Sequence, residues 1–584
     1  MPSHRWLVPL DILVGLFVLS AVLLGVTPSY NPQLSIPVQT GIVVAAIVYF
    51  AVAHGIPNWT TAYALGRLVM LAGVAYAALI ILQYAYLGYA ESANLIDRLG
   101  RMTTLLPNLD IPLGNADAAA TFMEGLIPLG IVLTVTSVRW SMRIVWVLAT
   151  LVCLYAIVLT FSAGALVALT LSAFIALIAL TPSWPVRLGA VALMIASGVA
   201  VALRFAGDRL VSRWVLYQNS LFVASDYLFT GIGLGDTFPL VYSRYGLIIQ
   251  VPFLSYAHNL VLSVWMGQGL PGLLLFGVLV VTFVLLVWRV IHSMRPRRLF
   301  HAAWLAVTVT VLHGLFDSRQ YVEAIPLMPH LFWFIGLTAA TGRLALVDAR
   351  RSKGALKTAY FPWQLALVGA VALAALALVF SQQLRAAWYT NQGALLETRA
   401  ELVEIMPDQE REDFNRQAQA LYEEALTIDS QWPNANRRSG YLHVKMEDFA
   451  PAVPLLETAF AYEPTNPAAI KTLGLAYVWT GQIENAARLF RMLPPEAGVI
   501  DELGVYAFWR GSDRQQPLLA AYALETAQAI EPDTVDVYRW KAIGDWYRAA
   551  NDPGNARSWY ERVLAVDPNN ESAQQALAEL DASS

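Results

Sequence analysis

Apolar runs of about the length that crosses a bilayer as a helix, roughly 20 residues, recur along the first two thirds of the chain. They lie near 6–26, 36–54, 68–90, 118–138, 143–161, 163–181, 186–204, 270–292, 300–316, 327–345 and 361–381. This predicts about eleven spans, and the short runs and tight connections leave ten to twelve as the range. The first run, Trp6 to about Val26, has the length of a span, and no small-residue cleavage site of a signal peptide follows it. After Arg385 the pattern changes to paired amphipathic helices of helical period. The expected class is therefore all-α: a polytopic transmembrane bundle over 1–385, then a soluble helical solenoid over 386–584.

Composition agrees with this division. Hydrophobic residues make up 57% and charged residues 14%, with mean hydropathy +0.52, whereas a soluble domain carries about 25% charged residues. Residues 386–584 hold 16 Lys/Arg against 30 Asp/Glu, and the remainder holds 22 against 12. The bundle is thus basic and the solenoid acidic, and the acidic half argues against a nucleic-acid partner. The single cysteine, Cys153, lies in an apolar run. It permits no disulfide within the chain and reads as a small packing residue.

Lysines and arginines orient the bundle. Arg139, Arg143, Arg187, Arg295, Arg297, Arg298, Arg343, Arg350, Arg351, Lys353 and Lys357 fall in connections that eleven spans put on one side, together with Arg5. The positive-inside rule makes that side cytoplasmic and puts the C-terminal solenoid outside. Two outer loops are long, about 91–117 and about 205–257. The larger carries Arg209, Arg213, Asp226, Asp236 and Arg244. Arginines in an outer loop run against the topological bias, which suggests either a functional role or a loop that is solvated or faces lipid phosphates.

In the solenoid, Ala459-Phe-Ala-Tyr-Glu-Pro464, Ala527-Gln-Ala-Ile-Glu-Pro532 and Leu564-Ala-Val-Asp-Pro568 recur at 68 and 36 residues. Within them stand Leu473-Gly474-x-x-Tyr477 with Gly481 and Ala486, and Gly544-x-x-Tyr547 with Gly554 and Ala556. Period and motif resemble tetratricopeptide repeats, four to five in number. Such solenoids bind proteins or peptides in a concave groove. Trp479, Trp509, Trp546 and Trp559 are either groove anchors or core residues.

Candidate chemistry concentrates around the large outer loop. Gly231-Ile-Gly-Leu-Gly235-Asp-Thr-Phe238 follows no strand, so it is no dinucleotide fingerprint and reads as a turn packed against a helix end. Tyr256-Ala-His258-Asn259-Leu260 follows, where the loop re-enters the membrane, and Gly269-Leu-Pro271-Gly272 then breaks the helical run. A histidine there is either a proton acceptor near neutral pH or a neighbour of a helix cap.

The order of Arg213-Trp214, Ser225-Asp-Tyr-Leu-Phe-Thr-Gly231, Gly-x-Gly-x-Gly-x-x-Phe238, His258-Asn-x-x-Leu, Gly269-Leu-Pro-Gly272 and His313-Gly-Leu-Phe-Asp317 resembles the O-antigen ligase and O-antigen polymerase superfamily. The resemblance spans about residues 60–345. It implies a metal-independent glycosyltransferase, without cofactor or nucleotide sugar, at the outer face of the cytoplasmic membrane. Such an enzyme moves a glycan, with inversion, from a polyprenyl diphosphate carrier to the hydroxyl of a lipid, protein or growing polysaccharide. It also implies roles for residues. His258 engages the acceptor and Arg213 holds the diphosphate, followed by Arg244 and Arg209, with Arg319 approaching from the next outer turn. Tyr256 and Asn259 flank the histidine as substrate-binding candidates. Guanidinium suits this task because it stays charged and donates two parallel hydrogen bonds to phosphate. One departure stands out: many relatives carry Ser-Arg-Gly where this chain has Ser162-Ala163-Gly164. His313 and Asp317, four apart, read as a polar pair holding helix packing, with too few ligands about them for a metal. Repeat-unit polymerase and protein O-oligosaccharyltransferase are variants of the same reading. A lipid-linked glycan transporter and a membrane-anchored scaffold recruiting a protein partner through the repeats are readings of other classes.

Overall fold

The computed structural model describes residues 7–25, 27–87, 89, 94–102, 115–205, 208–246, 254–294, 296–322, 325–353 and 378–583. The secondary structure of these residues is helical. The chain divides into two compact units. The first comprises Met1–Ala224, Leu228–Phe238 and Ser255–Ala370, the second Ser225–Tyr227, Pro239–Leu254 and Val371–Ser584. Two short pieces of the 205–257 segment thus belong to the second unit.

The first unit contains α1 (Val8–Leu24), α2 (Ile36–Gly55), α3 (Trp59–Gln83), α4 (Leu95–Met102), α5 (Ala116–Glu124), α6 (Leu126–Thr136), α7 (Trp140–Leu159), α8 (Ala163–Leu180) and α9 (Trp184–Phe205). Then come α10 (Asp208–Asp226), whose last turn enters the second unit, α11 (Phe238–Gly246), which lies almost wholly in that unit, α12 (Leu260–Met294), α13 (Arg298–Gly314), α14 (Arg319–Val322) and α15 (Leu327–Lys353). Among the described residues seven helical segments are long and apolar enough to cross a membrane: Pro32–Gly55, Trp59–Tyr86, Ala116–Thr136, Trp140–Leu159, Ala163–Leu180, Leu260–His292 and Leu327–Ala349. Val8–Leu24 and Trp184–Gly198 are apolar but shorter. Ten of the eleven expected spans coincide with helices, and 361–381 falls almost entirely outside the described residues. Of those ten helices, seven meet both length and apolarity among the described residues, and α1, α9 and α13 do not. The reason is visible in α13, which is surrounded by protein on most sides (Leu299, Phe300, Ala303, Ala306 and Thr310 are buried) and so tolerates His301 and His313 along its length.

The bundle is packed as a membrane interior is. Small residues let helices approach closely: a Cβ on Gly73 would lie 2.0 Å from Leu126 and one on Gly130 2.2 Å from Thr150. Large apolar side chains such as Leu148, Leu193, Val281 and Trp288 are exposed on the outside, where lipid rather than water is the fitting solvent. At one end of the bundle Trp59 donates to Asp348 (2.8 Å), Arg297 approaches Asp348 (3.7 Å) and Arg343 donates to the Ile56 carbonyl (2.6 Å). These are the arginines that the charge bias expects on the cytoplasmic side.

The second unit is a stack of helix pairs: α16 (Ser381–Leu402) with α17 (Asp408–Ile428), α18 (Pro433–Lys445) with α19 (Phe449–Tyr462), α20 (Pro467–Trp479) with α21 (Ile483–Phe490), α22 (Val499–Phe508) with α23 (Pro517–Ile530), and α24 (Val537–Ala549) with α25 (Pro553–Val566), closed by α26 (Glu571–Ser583). The glycines explain the pairing. A Cβ on Gly393, Gly440, Gly474 or Gly544 would come within 2.6 Å of Tyr422, Leu456, Phe490 or Tyr560 on the partner helix. Trp479 is buried and Trp509, Trp546 and Trp559 are half-buried, Trp479, Trp546 and Trp559 within the hydrophobic clusters and Trp509 against Arg510, so these residues pack the solenoid and do not anchor a free groove.

Candidate active site

The candidate site lies at the other end of the bundle, where the start of α5, the turn between α7 and α8, the start of α12 and the end of α13 meet. Asn259 caps α12: its Oδ1 accepts from the backbone N–H of Val261 (3.0 Å) and Leu262 (3.1 Å), and its Nδ2 donates to the Leu315 carbonyl (3.1 Å). His258, just before the cap, has φ +50°, a left-handed conformation that is uncommon for a non-glycine residue. Tyr217 of α10 stabilises this bend, its hydroxyl donating to the carbonyls of His258 (3.2 Å) and Leu315 (3.3 Å).

The His258 ring faces Asp317. Nδ1 lies 3.1 Å from Asp317 Oδ2, and the ring lies against Tyr256 with centroids 4.0 Å apart. The Tyr256 hydroxyl donates to the same carboxylate at 3.0 and 3.1 Å, and the Arg319 backbone N–H donates to Oδ1 at 3.0 Å. The Arg319 guanidinium lies over the Tyr256 ring at 5.0 Å and reaches Asp317 at 4.0 Å. Burial pushes the Asp317 carboxyl up, but the hydrogen bond and charge of His258, with Arg319 and His313 behind, outweigh it and hold the group below the usual carboxylate range. Burial, then the neighbouring Asp317 charge, pushes the Tyr256 phenol up, so it remains a donor. The carboxylate therefore accepts from the imidazole Nδ1–H, which leaves Nε2 as the basic nitrogen.

The expected pairing of His313 with Asp317 is corrected here. Their spacing gives only the backbone bond from the Asp317 N–H to the His313 carbonyl (2.9 Å). The His313 ring turns inward, fully buried, with Nδ1 at 2.9 Å from Glu124 and 3.2 Å from Thr121, while Asp317 turns out to His258. The Ser162-Ala163-Gly164 turn lies over His313: a Cβ on Gly164 would be 2.8 Å from Nε2. Sequence reading thus missed the role of Asp317, and it missed Tyr217, Glu124 and Thr121 altogether. The one available signal was Tyr217, a single turn beyond Arg213 on α10.

The other candidates separate. Arg213 is half-buried, on the helix that brings Tyr217 to His258. The side chain of Arg209 lies outside those described. Arg244 is in the second unit, where its guanidinium is buried between Glu397 (2.8 Å) and Glu401 and donates to Thr398 (3.0 Å). The structure thus brings together His258, Tyr256, Asn259 and Arg319, and commits Arg244 to protein carboxylates.

The glycine run acts as a connector. Gly231, Gly233 and Gly235 all have positive φ. The Ile232 N–H donates to the Met266 carbonyl (2.6 Å) and the Leu234 N–H to the Gly25 carbonyl (2.9 Å), which pins the loop between α1 and α12. Gly269 (φ +65°) breaks α12 where the sequence places a break, and the Leu270 N–H returns to the Leu228 carbonyl (2.8 Å). Below the site a cavity of about 380 Å³ runs down the bundle, lined almost wholly by apolar side chains from Leu260, Leu312 and Gln320 to Trp288 and His292.

Residues 148–277 match the family model for O-antigen ligase. That segment contains Arg213, the glycine run, His258 and the start of α12. Residues 443–499 match the model for the tetratricopeptide repeat. The resemblance seen in the motifs is thereby borne out: an O-antigen ligase domain sits in a multi-pass membrane chain that carries C-terminal tetratricopeptide repeats. No curated protein matches the chain. The O-antigen ligase domain points to ligase or glycosyltransferase activity on glycan and lipid substrates, and the repeats point to protein interaction.

Proposed function

We propose that the protein transfers a glycan from a polyprenyl diphosphate carrier to an acceptor hydroxyl at the outer face of the cytoplasmic membrane. The observation that carries this reading is the Asp317–His258 pair, close in the chain to Gln320 and Leu260 in the lining of an apolar cavity. The acceptor oxygen attacks the anomeric carbon of the donor, the bond from that carbon to the carrier phosphate breaks, and the acceptor proton passes to His258 Nε2. Asp317 stabilises the imidazolium that forms. Arg213 and Arg319 hold the diphosphate, whose charge rises as it leaves. The polyprenyl tail lies in the apolar cavity, whose lining suits a hydrocarbon chain. The repeats then lie on the outer side. The choice between ligase, repeat-unit polymerase and protein O-oligosaccharyltransferase depends on the acceptor.

The test is transfer from a purified polyprenyl-diphosphate-linked oligosaccharide by wild type, His258→Ala and Arg213→Ala. Release of free carrier by wild type, lost in both variants while they remain folded, supports the reading. Donor binding without carrier release, whatever acceptor is offered, favours a transporter, and full activity of both variants removes the site assignment.

A further inference from the structure

Among the described residues, the second unit contains an extended network of buried charge. Asp226, the last residue of α10, is fully buried. Its carboxylate accepts from Asn434 Nδ2 (2.7 Å), from Arg438 Nε (2.9 Å) and from Arg437, all on α18. Ser225 Oγ accepts from the same Asn434 at 2.9 Å. Arg438 continues to Glu397 on α16 (2.9 Å) and to the hydroxyls of Tyr227 (3.0 Å) and Tyr245 (2.9 Å). Glu397 and Glu401 hold Arg244 from the end of α11, and Lys471 of α20 donates to the Arg244 backbone carbonyl. Arg437 and Arg438 also lie over the rings of Tyr245 and Tyr227, at 5.2 and 5.0 Å.

The first helices of three successive repeat pairs thus present Glu397, Asn434, Arg437, Arg438 and Lys471 to two pieces of the same chain, and Glu397, Arg437 and Arg438 each meet an opposite charge. Buried ion pairs gain little net stability, because desolvation offsets attraction, but they are specific: one misplaced partner leaves a bare charge. A network of this kind selects one occupant in one register.

We propose that these first repeats are the receptor for the chain's own large outer loop, and that their grip on Asp226 and Arg244 positions α10 for glycan transfer. α10 is one continuous helix. It carries Arg213 and Tyr217, whose hydroxyl supports the His258 bend, and it ends in Asp226. Holding the end of a helix fixes its rotation and register, so the grip acts on Arg213 and Tyr217 through α10. Arg244 is then an anchor of the loop. A second protein finds this stretch of the repeats occupied.

The positioning half rests on the glycosyl-transfer reading; the grip itself does not. Trypsin cuts after exposed arginines, so in the full-length protein the peptide bond after Arg244 resists trypsin, and Glu397→Gln, which strips a carboxylate from both Arg244 and Arg438, speeds that cut at least tenfold. In S225C/N434C a disulfide forms on oxidation, detected by mapping tryptic peptides without reductant. Combined with Glu397→Gln, oxidation restores both trypsin resistance and at least half of wild-type carrier release, and reduction removes both. Cutting after Arg244 at the same rate in wild type and Glu397→Gln, or failure of the disulfide to form, overturns the grip. A cross-linked protein that keeps its trypsin resistance but loses transfer, while its reduced form transfers, overturns positioning in favour of inhibition. If no form releases carrier while grip and cross-link hold, the glycosyl-transfer reading has failed, and the positioning role falls with it.

Discussion

At the residue scale, the candidate site turns on which partner each ionisable side chain finds. His258 is half-buried and is oriented by a carboxylate that Tyr256 and the Arg319 N–H hold in place. In such a pair the carboxylate fixes the tautomer and steadies the cation, and its amide replacement lowers turnover by up to about 10⁴-fold. Asp317→Asn is accordingly expected to lower kcat for carrier release by roughly 10²- to 10⁴-fold with donor affinity little changed, as initial rates and donor binding would show. Lys471 allows a prediction in pH. Burial, countered by Glu401 and reinforced by Arg244 and Arg437, pushes its amine down to about 7. Its folded pKa is depressed below the unfolded value, so between about pH 7 and about pH 10.4 the unfolded chain binds the extra proton and stability rises with pH. Below pH 7 the burial penalty is present in full. Lys471→Met should flatten this rise in the unfolding midpoint of the repeats; an unchanged slope would assign it to other groups.

At the element scale, local backbone choices decide whether the site is assembled. Gly269 breaks α12 at φ +65°, and a Cβ there would meet the Phe229 carbonyl oxygen at 2.1 Å. Both the conformation and the space exclude a side chain. Gly269→Ala should therefore destabilise the bundle by at least about 1–3 kcal/mol, seen as a lower unfolding temperature in detergent, and should detach the loop at Leu228–Leu270. Gly498→Ala, also at positive φ but with open space around it, should show only the backbone part of that effect. The break was legible in Gly269-Leu-Pro-Gly272, because glycine and proline act locally. The pairing of α13 was not. His313 and Asp317 share a helix face by spacing, yet Asp317 lies beyond the last helical residue, Gly314, where the chain turns and sends its carboxylate to another helix.

At the scale of the whole molecule, the apolar cavity and the polar site above it make one amphipathic arrangement suited to a lipid with a charged head. Each CH₂ buried there contributes about 0.8 kcal/mol. Donors with shortened prenyl tails should show KM rising steeply once the tail no longer fills the cavity, and Val264→Trp, which narrows it, should raise KM for the long-chain donor while leaving kcat within about threefold, a rate change worth under 1.4 kcal/mol. Steady-state kinetics with a graded series of tail lengths would decide this; KM independent of length places the tail elsewhere. The acidic solenoid contributes through its grip on Asp226 and Arg244, which divides the 205–257 segment between two units.

Hydropathy, charge bias and repeat period determined by themselves that this is a helical membrane protein with a tetratricopeptide tail, since those signals depend on composition over tens of residues. The order of Arg213, the glycine run and His258 was equally plain, and the family match covers it over 148–277, short of the Asp317 turn. Tertiary structure alone decided the partners. It sent Asp317 to His258 and His313 to Glu124, and it took Arg244 from the candidate diphosphate ligands into a clamp of glutamates. The reason is physical: a charge removed from water takes whichever opposite charge the fold brings within about 3 Å. That choice depends on residues 59 to 189 positions away, which no local pattern contains.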